Sequence, residues 1–233
     1  MKLLVIIPAY NEQECLPAVI DALTRTCPQY DYLIVNDGST DSTAALCRTK
    51  IYNHINLPVN LGLAGAFQAG MMYAYRHGYD AAVQFDADGQ HLSEYIEMLI
   101  ERLQQGYDIV IGSRFVDVKK PANLRMAGSF LISFAIRFTG GPAICDPTSG
   151  MRLFNRAMIC EFASNVNYAP EPDTVCYLAL NGAKISEVQV EMADRVAGTS
   201  YFNWWRSIRY MFEMAVSILL VQWFRKRRGG NAV

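Results

Sequence analysis

Short apolar runs recur along the first half of the chain, and each one ends abruptly in polar residues. The runs occupy residues 3–7, 32–35, 81–85 and 109–111, and stretches with helical spacing of apolar residues separate them. A continuous apolar, β-branched run is typical of a strand covered on both faces in a parallel sheet. Regular alternation of such strands with helices predicts a doubly wound α/β fold.

Polar residues follow four of these runs, at 8–12, 36–41, 86–91 and 112–114. In open α/β sheets, ligands bind beyond the carboxyl ends of the strands, so we expect the four clusters to converge on one crevice. That arrangement is typical of a nucleotide site. The glycines at 62, 65 and 70 do not form G-x-G-x-x-G after the first strand, and the sequence contains no G-K-[ST]. A Rossmann dehydrogenase and a P-loop protein are therefore disfavoured.

Asp86 and Asp88 directly follow the 81–85 run, one residue apart. Alternate side chains of a strand point to the same side, so this spacing brings two carboxylates together. Their mutual repulsion raises a pKa unless a cation is present, and Mg²⁺ or Mn²⁺ bound there would bridge diphosphate oxygens. The alternative is a pair of solvated loop acids, or caps for the helix expected from residue 92.

Composition limits the classes of function. A chain of 233 residues suffices for one large α/β domain, and its net charge of -1 disfavours a nucleic-acid-binding protein. The six cysteines form no C-x-x-C pair, which favours reduced cytosolic thiols over a zinc site or a disulfide framework. The first apolar run is too short for a signal peptide, and Pro8 ends it.

Six short motifs occur in a fixed order: PAYNE at 8–12, NDGS at 36–39, N-x-G at 60–62, DAD-x-Q at 86–90, GSR at 112–114 and DPTSG at 146–150. Together they resemble family 2 glycosyltransferases, in particular the dolichyl- and polyprenyl-phosphate mannosyl- and glucosyltransferases. The resemblance spans roughly residues 3–200. It implies a GT-A nucleotide-diphospho-sugar transferase fold, with a mostly parallel central sheet flanked by helices, as a catalytic domain over residues 1–200.

The resemblance also implies roles for individual residues. The nucleoside would contact Pro8, Tyr10, Glu12, Val35 and Asp37. The metal and diphosphate would be held by Asp86, Asp88 and Gln90, with Ala87 contributing backbone. Arg114 and Arg195 match cationic positions near the donor diphosphate or the acceptor phosphate, a role that suits the forked donors of arginine. Residues 194–200 match a loop that closes over the donor, and His91 is expected to be structural.

The acceptor is less sharply indicated. Arg125 and Ser129 resemble the R-x-x-x-S element of an acceptor loop near the membrane, although Met126 replaces the second basic residue usual in the family. A lipid phosphate, with a second pKa of about 6, needs no strong base. A sugar hydroxyl would need one, and Glu171 and Asp173 are the candidates. Their alternative role is to stabilise a helix N-terminus.

These inferences predict an inverting, metal-dependent hexosyltransferase that acts on polyprenyl phosphate, with Asp88 and Arg114 in catalysis. An enzyme extending a lipid-linked or capsular saccharide at a hydroxyl is the alternative, and a non-catalytic nucleotide-binding subunit of a membrane complex is a third reading.

Residues 201–233 are predicted to form an amphipathic helix with a basic tail at 225–228. The charge-free stretch 214–224 is shorter than the roughly 20 residues that cross a bilayer. Aromatic and basic residues together favour a helix in the membrane interface or against a membrane partner. The alternative is a helix that packs on the domain or in a homo-oligomer. We therefore expect a peripheral protein on the cytoplasmic side of the membrane.

Overall fold

The computed structural model of the chain describes residues 1–121, 124–165, 168–193 and 204–221. The strands of its sheet are β1 (Leu3–Ala9), β2 (Asp31–Asn36), β3 (His54–Asn56), β4 (Ala81–Gln84), β5 (Ile109–Ser113), β6 (Arg152–Asn155) and β7 (Ile185–Gln189). The helices are α1 (Leu16–Thr26), α2 (Thr43–Thr49), α3 (Gly62–Arg76), α4 (Ile96–Gln104), α5 (Leu124–Phe138), α6 (Arg156–Ser164), α7 (Pro172–Leu180) and α8 (Trp204–Val216). A 3₁₀ turn, Ser93–Tyr95, precedes α4, and a π-helical segment, Ser217–Val221, follows α8.

The strands form one sheet in the order β3-β2-β1-β4-β6-β5-β7. Neighbouring strands are parallel except at β6, which runs antiparallel to both β4 and β5. The predicted mostly parallel sheet is thus confirmed. Because β6 runs the other way, its first residue, Arg152, lies beside Gln84 and Ile111 near the carboxyl ends of β4 and β5. The 146–150 segment therefore reaches the same edge of the sheet as the polar clusters that follow the parallel strands.

Two hydrophobic cores cover the two faces of the sheet. Alternate residues of β1 divide between them, with Leu4 and Ile6 on one face and Leu3, Val5 and Ile7 on the other. The first core takes side chains from α3, α5, α6, α7 and α8, and the second from α1, α2 and α4. Burial on both faces explains the continuous apolar run of β1, since neither side of this strand contacts water.

Two apolar stretches of the sequence extend beyond the strands that they contain. In the stretch 55–59 only the beginning is paired, as part of β3 (His54–Asn56), and in the stretch 185–192 the strand β7 ends at Gln189. The helix expected from residue 92 begins as the 3₁₀ turn. Strand length in these cases is set by pairing with a neighbour, which the apolar pattern does not encode.

The C-terminal helix α8 packs against the body of the chain. Its Met211 lies so close to α5 that a Cβ on Gly128 would approach the Met211 sulfur to 1.5 Å. Ala215 and, in the π-helical segment, Ile218 are also buried. The described helices include none long and apolar enough to cross a membrane. The domain boundary at residue 200 stays a prediction, because residues 194–203 and the basic tail lie outside the described ranges.

Candidate active site

The turns after β1 and β2 form one interlocked unit. Pro8 and Val35, both predicted to contact the nucleoside, are direct neighbours in the β1–β2 pairing. Asn11, at a left-handed φ of 58°, accepts a hydrogen bond from Thr40 N at 2.8 Å, and its own N–H donates to Ser39 Oγ at 3.0 Å. These bonds fix the two turns against each other at the carboxyl edge of the sheet.

The other predicted nucleoside contacts lie in the same unit. Asp37 is buried, its N–H donates to Ala9 O at 2.9 Å, and its Oδ1 accepts from Leu61 N at 2.7 Å. Tyr10 and Glu12 are half-buried in the β1–α1 connection. The structure therefore brings all five predicted nucleoside residues to the ends of two adjacent strands. Hydrogen bonds to two backbone groups hold Asp37 in place, so this part of the crevice is already formed before a ligand binds.

Asp86 and Asp88 lie in the turn directly after β4. The Asp86 side chain is 36% exposed, whereas Asp88 is 7% exposed and accepts from Gln90 N at 3.1 Å through Oδ1. Ala87 between them is buried, and the Gln90 side chain is partly exposed. One carboxylate is therefore open to the crevice and the other is fixed by the turn itself.

Three further contacts orient Asp86. Gln84 Nε2 donates to its Oδ1 at 3.3 Å, and its backbone N–H donates to His91 Nδ1 at 2.9 Å. An accepting Nδ1 places the imidazole proton on Nε2, which lies 3.5 Å from Asp86 Oδ2. A Cβ on Gly150 would meet Asp86 Oδ2 at 2.7 Å, so a larger residue there would force the carboxylate to move. The buried His91 is thus engaged in positioning, which supports the structural role expected for it.

The donor set in this turn suits a hard divalent cation completed by a ligand. Within the described ranges, no three His, Cys, Asp or Glu side chains are grouped so as to hold a metal by themselves. Mg²⁺ is commonly bound by one or two carboxylates together with waters and substrate phosphates. Asp86, Asp88 and the Gln90 amide oxygen match that pattern, so a cation here would depend on a phosphate-bearing partner.

Arg114, at the end of β5, forms a bidentate ion pair with the fully buried Asp146. Nε lies 2.7 Å from Oδ2, and Nη2 lies 2.9 Å from Oδ1. Burial alone would raise the pKa of Asp146, but the hydrogen bonds and charge of Arg114 outweigh it and hold the pKa below its usual value. The pair fastens the 146–150 segment to β5. The predicted contact between Arg114 and a diphosphate stays a prediction.

A buried arginine that sequence reasoning missed lies under the site. Arg152 is 2% exposed and donates to the carbonyl oxygens of Pro170 and, at 2.6 Å, of Pro147. Its Nε and the Oε1 of the neighbouring Gln84 are buried and have no hydrogen-bond partner among the described atoms. Burial lowers the pKa of Arg152, and the charges of Asp146 and Asp86, among others, oppose that effect. An arginine inside the apolar strand after DPTSG was the signal available.

The two candidate bases lie at the N-terminus of α7. Asp173 is 9% exposed and accepts from Thr174 N at 2.7 Å and from Ser217 Oγ at 2.7 Å. Glu171 precedes the helix, and burial, together with the charge of Asp173, raises its pKa. Both acids are covered by the C-terminal segment, whose Tyr210 also acts on the pKa of Arg152. This arrangement does not test whether Glu171 or Asp173 acts as a base.

The predicted acceptor residues divide between described and undescribed parts of the chain. Ser129 is buried in α5 and accepts a hydrogen bond from Lys120 Nζ at 2.9 Å, a contact that the motifs did not predict. Arg125 lies in the first turn of α5, but its side chain is outside the described part, as is the whole of Arg195.

Comparison with known proteins agrees with this arrangement. Residues 4–162 match the model of Glycosyl transferase family 2. Polyprenol monophosphomannose synthase of Mycolicibacterium smegmatis is 31% identical over 230 residues, 92% of this chain and 86% of that protein. Undecaprenyl-phosphate mannosyltransferase of Micrococcus luteus is 33% identical over 212 residues, 86% of this chain and 87% of that protein.

Among solved structures, glucosyl-3-phosphoglycerate synthase from Mycobacterium tuberculosis, in complex with Mn²⁺ and UDP-glucose, superposes with a TM-score of 0.68. The sequence identity is 17%, over 98% of this chain and 81% of that chain, so this likeness concerns the fold. It confirms the expected architecture, and the family match confirms the resemblance carried by the six motifs. The chain belongs to glycosyl transferase family 2.

Proposed function

We propose that the chain is an inverting glycosyltransferase that moves a hexose from a nucleotide-diphosphate sugar to polyprenyl phosphate. The observation that carries the proposal is the turn after β4, where Asp86 and Asp88 adjoin the interlocked turns of β1 and β2. Two relatives of similar length are named as acting on polyprenyl phosphates, which supports this acceptor class.

In this proposal the nucleoside lies against Pro8, Val35 and Asp37 at the ends of β1 and β2. Asp86, Asp88 and Gln90 would hold a Mg²⁺ or Mn²⁺ ion, whose charge offsets that of the diphosphate leaving group. His91 and Gly150 keep the Asp86 carboxylate in a single orientation. Orientation matters because a carboxylate that is already positioned loses less entropy on binding.

The acceptor supplies its own nucleophile. A phosphate oxygen forms the new bond to the anomeric carbon, the bond from that carbon to the nucleotide β-phosphate oxygen breaks, and the nucleoside diphosphate leaves. The attack from the opposite face inverts the configuration, and a dianionic phosphate transfers no proton to the protein. Asp173 accepts a hydrogen bond from Ser217 Oγ through one of its two oxygens, and a lipid-phosphate acceptor requires neither Asp173 nor Glu171 as a base.

An exposed apolar surface offers a place for contact with the membrane. On α5, Phe134 and Phe138 are 65% and 71% exposed, four residues apart on one helical face, with Phe130 one turn earlier. Phe212 on the adjoining α8 is also exposed. Aromatic side chains are favoured at the membrane interface. We place the acceptor-side membrane contact on this α5–α8 surface, which makes the protein peripheral.

Asp88→Ala tests the proposal directly. Purified protein with Mn²⁺, a nucleotide sugar and undecaprenyl phosphate should form a glycosyl phosphate, recognised by its cleavage in mild acid. Asp88→Ala should reduce the rate by at least about 100-fold, the loss typical of removing one group that stabilises charge in the transition state. The matched control is Glu101→Ala, which removes an exposed acid from α4 and should keep the wild-type rate. Transfer that persists in Asp88→Ala contradicts the proposed site.

The acceptor class is tested by Glu171→Gln. A hydroxyl acceptor requires a base. If the wild-type product is stable in mild acid and this variant no longer forms it, the lipid-phosphate proposal would be replaced by the saccharide-extending one. Unchanged transfer to undecaprenyl phosphate supports the mechanism without a base. The absence of nucleotide-sugar turnover with every acceptor would favour a non-catalytic subunit.

A further inference from the structure

A cavity of about 550 Å³ opens between α5 and the loop that follows β5. Its walls include Phe115 and Val116 from the loop, Phe130 from α5, and Ile144 and Cys145 from the segment before Asp146. Most of these side chains are apolar. The cavity lies on the same side of α5 as the buried Ser129. None of its lining residues belongs to the six sequence motifs.

Charged residues of the loop also line the cavity, namely Asp117, Lys119 and Lys120, and of these Lys120 contacts α5. Lys120 Nζ donates to Ser129 Oγ at 2.9 Å and lies 4.9 Å from the ring centroid of Phe130 and 5.7 Å from that of Phe115. Within the described part of the chain, no carboxylate lies within 4.0 Å of this ammonium. A half-buried ammonium between two rings retains binding capacity for an anion, since a lysine has three donors and no acceptor.

The nearest acids are already engaged. Asp146 is paired with Arg114 through both carboxylate oxygens. Glu187 accepts from Cys145 N at 2.6 Å and from Asp146 N at 2.8 Å. Asp146 and Glu187 therefore attract Lys120 at longer range without forming an ion pair with it, and an incoming phosphate can make the direct contact that these two acids do not.

We propose that this Lys120 cavity binds the phosphate and the first isoprene units of the polyprenyl-phosphate acceptor, with Lys120 as the cation that contacts the phosphate. The inference rests on the proposed function and adds a residue to it. Met126, at the position where the family has a second basic residue, is buried in α5 and carries no charge. Lys120 supplies a charge from the opposite wall, next to Ser129.

The position of the cavity fits a ligand with an anionic head and an apolar tail. On one side, Cys145 leads into the 146–150 segment, whose Gly150 packs on the Asp86 carboxylate at the donor site. On the other side, Phe130 begins the exposed aromatic face that continues through Phe134 and Phe138. A phosphate at Lys120 would thus lie between the metal site and the membrane contact.

The lysine should also give the acceptor affinity a characteristic pH dependence. Burial lowers the pKa of Lys120, while Asp146, Cys145 and Glu187 act in the opposite direction and Arg114 adds to the lowering. Acceptor affinity should therefore fall as the pH rises through this lowered pKa, at a pH below the usual lysine range. Lys120→Arg should abolish the fall, because arginine does not lose its proton.

The test compares Lys120→Met and Lys120→Arg with Lys50→Met, which removes an exposed lysine from the end of α2. The acceptor is undecaprenyl phosphate in detergent micelles, and KM is measured separately for acceptor and nucleotide sugar. A hydrogen bond to a charged group contributes enough for a KM change of roughly 10- to 100-fold. We expect that increase for the acceptor alone in Lys120→Met, near-normal values in Lys120→Arg, and no change in Lys50→Met. Thermal unfolding confirms that each variant is folded.

The outcomes separate this inference from the proposed function. No transfer by the wild type to any isoprenyl phosphate overturns the proposed function. Normal wild-type transfer, together with an unchanged acceptor KM in Lys120→Met, overturns the role of Lys120 alone. Farnesyl phosphate and inorganic phosphate are compared as competitors of the acceptor. Equal potency of the two would overturn the isoprene part of the site, whereas stronger competition by farnesyl phosphate that depends on Lys120 supports it.

Discussion

Asp86 shows how the orientation of a single side chain depends on distant parts of the sequence. Its carboxylate and backbone are held by Gln84 and His91, which lie close in the chain, and by the close approach of Gly150 from more than sixty residues away. The first two residues flank the 86–90 motif on either side. The third shows that the DPTSG segment shapes the surroundings of Asp86, in the proposed metal site.

Gly150→Ala should damage the metal site while leaving the fold intact. The new Cβ would lie 2.7 Å from Asp86 Oδ2 and 3.2 Å from His91 Cε1, so the carboxylate must move. A small misplacement of a reacting or ligating group costs about 100-fold in rate. We expect a loss of that order in transfer and a raised Mn²⁺ requirement, measured by titration, with a small change in Tm. A variant that keeps wild-type Mn²⁺ dependence would show that Gly150 is unimportant for Asp86.

Arg114→Met should destabilise the protein in a pH-dependent way. Removing one partner of a buried pair costs about 3 kcal/mol or more, because Asp146 is left buried without a counter-charge. The lowered pKa of Asp146 means that its stabilisation is present above the unfolded pKa and is lost as the pH falls through the folded one. The deficit of Arg114→Met should therefore be largest at pH 7 and shrink in acid, as measured by urea unfolding.

The control for this variant is Arg48→Met, which removes an exposed arginine from α2. Its unfolding free energy should follow that of the wild type across the same pH range. A constant deficit in Arg114→Met at every pH would mean that lost packing, and not the charge of Asp146, explains the destabilisation.

At this scale the sequence predicted the acids better than the cations. Asp86 and Asp88 were found because spacing along one strand is a local property. Arg152 was not, because its partners are the backbone carbonyls of Pro147 and Pro170, which no side-chain pattern reveals. Lys120 belongs to no motif, and its contact with Ser129 depends on the packing of α5 against the loop after β5.

Helix α5 has apolar residues on both its buried face and its exposed face. One face places Ile132, Ala135 and Ile136 in the core, and the other exposes Phe134 and Phe138. Exposed aromatic residues at helical spacing form a contiguous apolar patch, which in soluble proteins marks an interaction surface. The stretch 126–138 is apolar almost throughout, so its sequence pattern does not show which face of the helix stays uncovered.

Replacing Phe134 and Phe138 by serine should reduce binding to liposomes without destabilising the fold. Both side chains are exposed, and substitutions at exposed positions typically change stability by less than about 0.5 kcal/mol. Binding is measured by co-sedimentation with vesicles that contain anionic lipid. Met98→Ser removes an exposed apolar side chain from α4 and should bind like the wild type. Undiminished binding of the double variant would place the membrane contact elsewhere.

For the molecule as a whole, the sequence pattern predicts most of the fold but not the arrangement of the acceptor side. Alternation of strands and helices through β5 predicted the parallel half of the sheet, and the polar clusters marked its carboxyl edge. The pattern does not predict that β6 is antiparallel, because the direction of this strand is decided by its pairing with β4 and β5 and not by the short run 152–154 itself. The contact of Asp173 with the π-helical segment after α8 joins residues 44 positions apart, which no local pattern reveals.

Donor identity should be readable from the stability of the whole protein. A ligand that binds only the native state adds about 2.7 kcal/mol at a concentration of 100 Kd. For a chain of this size each kcal/mol shifts Tm by roughly 2–4 °C. With Mn²⁺ present, the correct nucleotide sugar should therefore raise Tm by about 5–10 °C, and UDP-, GDP- and dTDP-sugars can be compared by thermal shift. Asp88→Ala should abolish the difference, and an equal shift with all three would argue against a selective nucleoside pocket.

The central place of β6 has a consequence for how the chain is made. During synthesis, β4 and β5 emerge well before residues 152–155, and until those residues pair, each strand presents an open edge that can template aggregation. The segment that leads into β6 carries Gly150, which lies against the Asp86 carboxylate, so pairing of β6 also completes the surroundings of the proposed metal site. A nascent chain released before this point would lack both the strand that joins β4 to β5 and this contact. Joining of β4 to β5 and formation of the proposed donor site are therefore coupled in one step of folding.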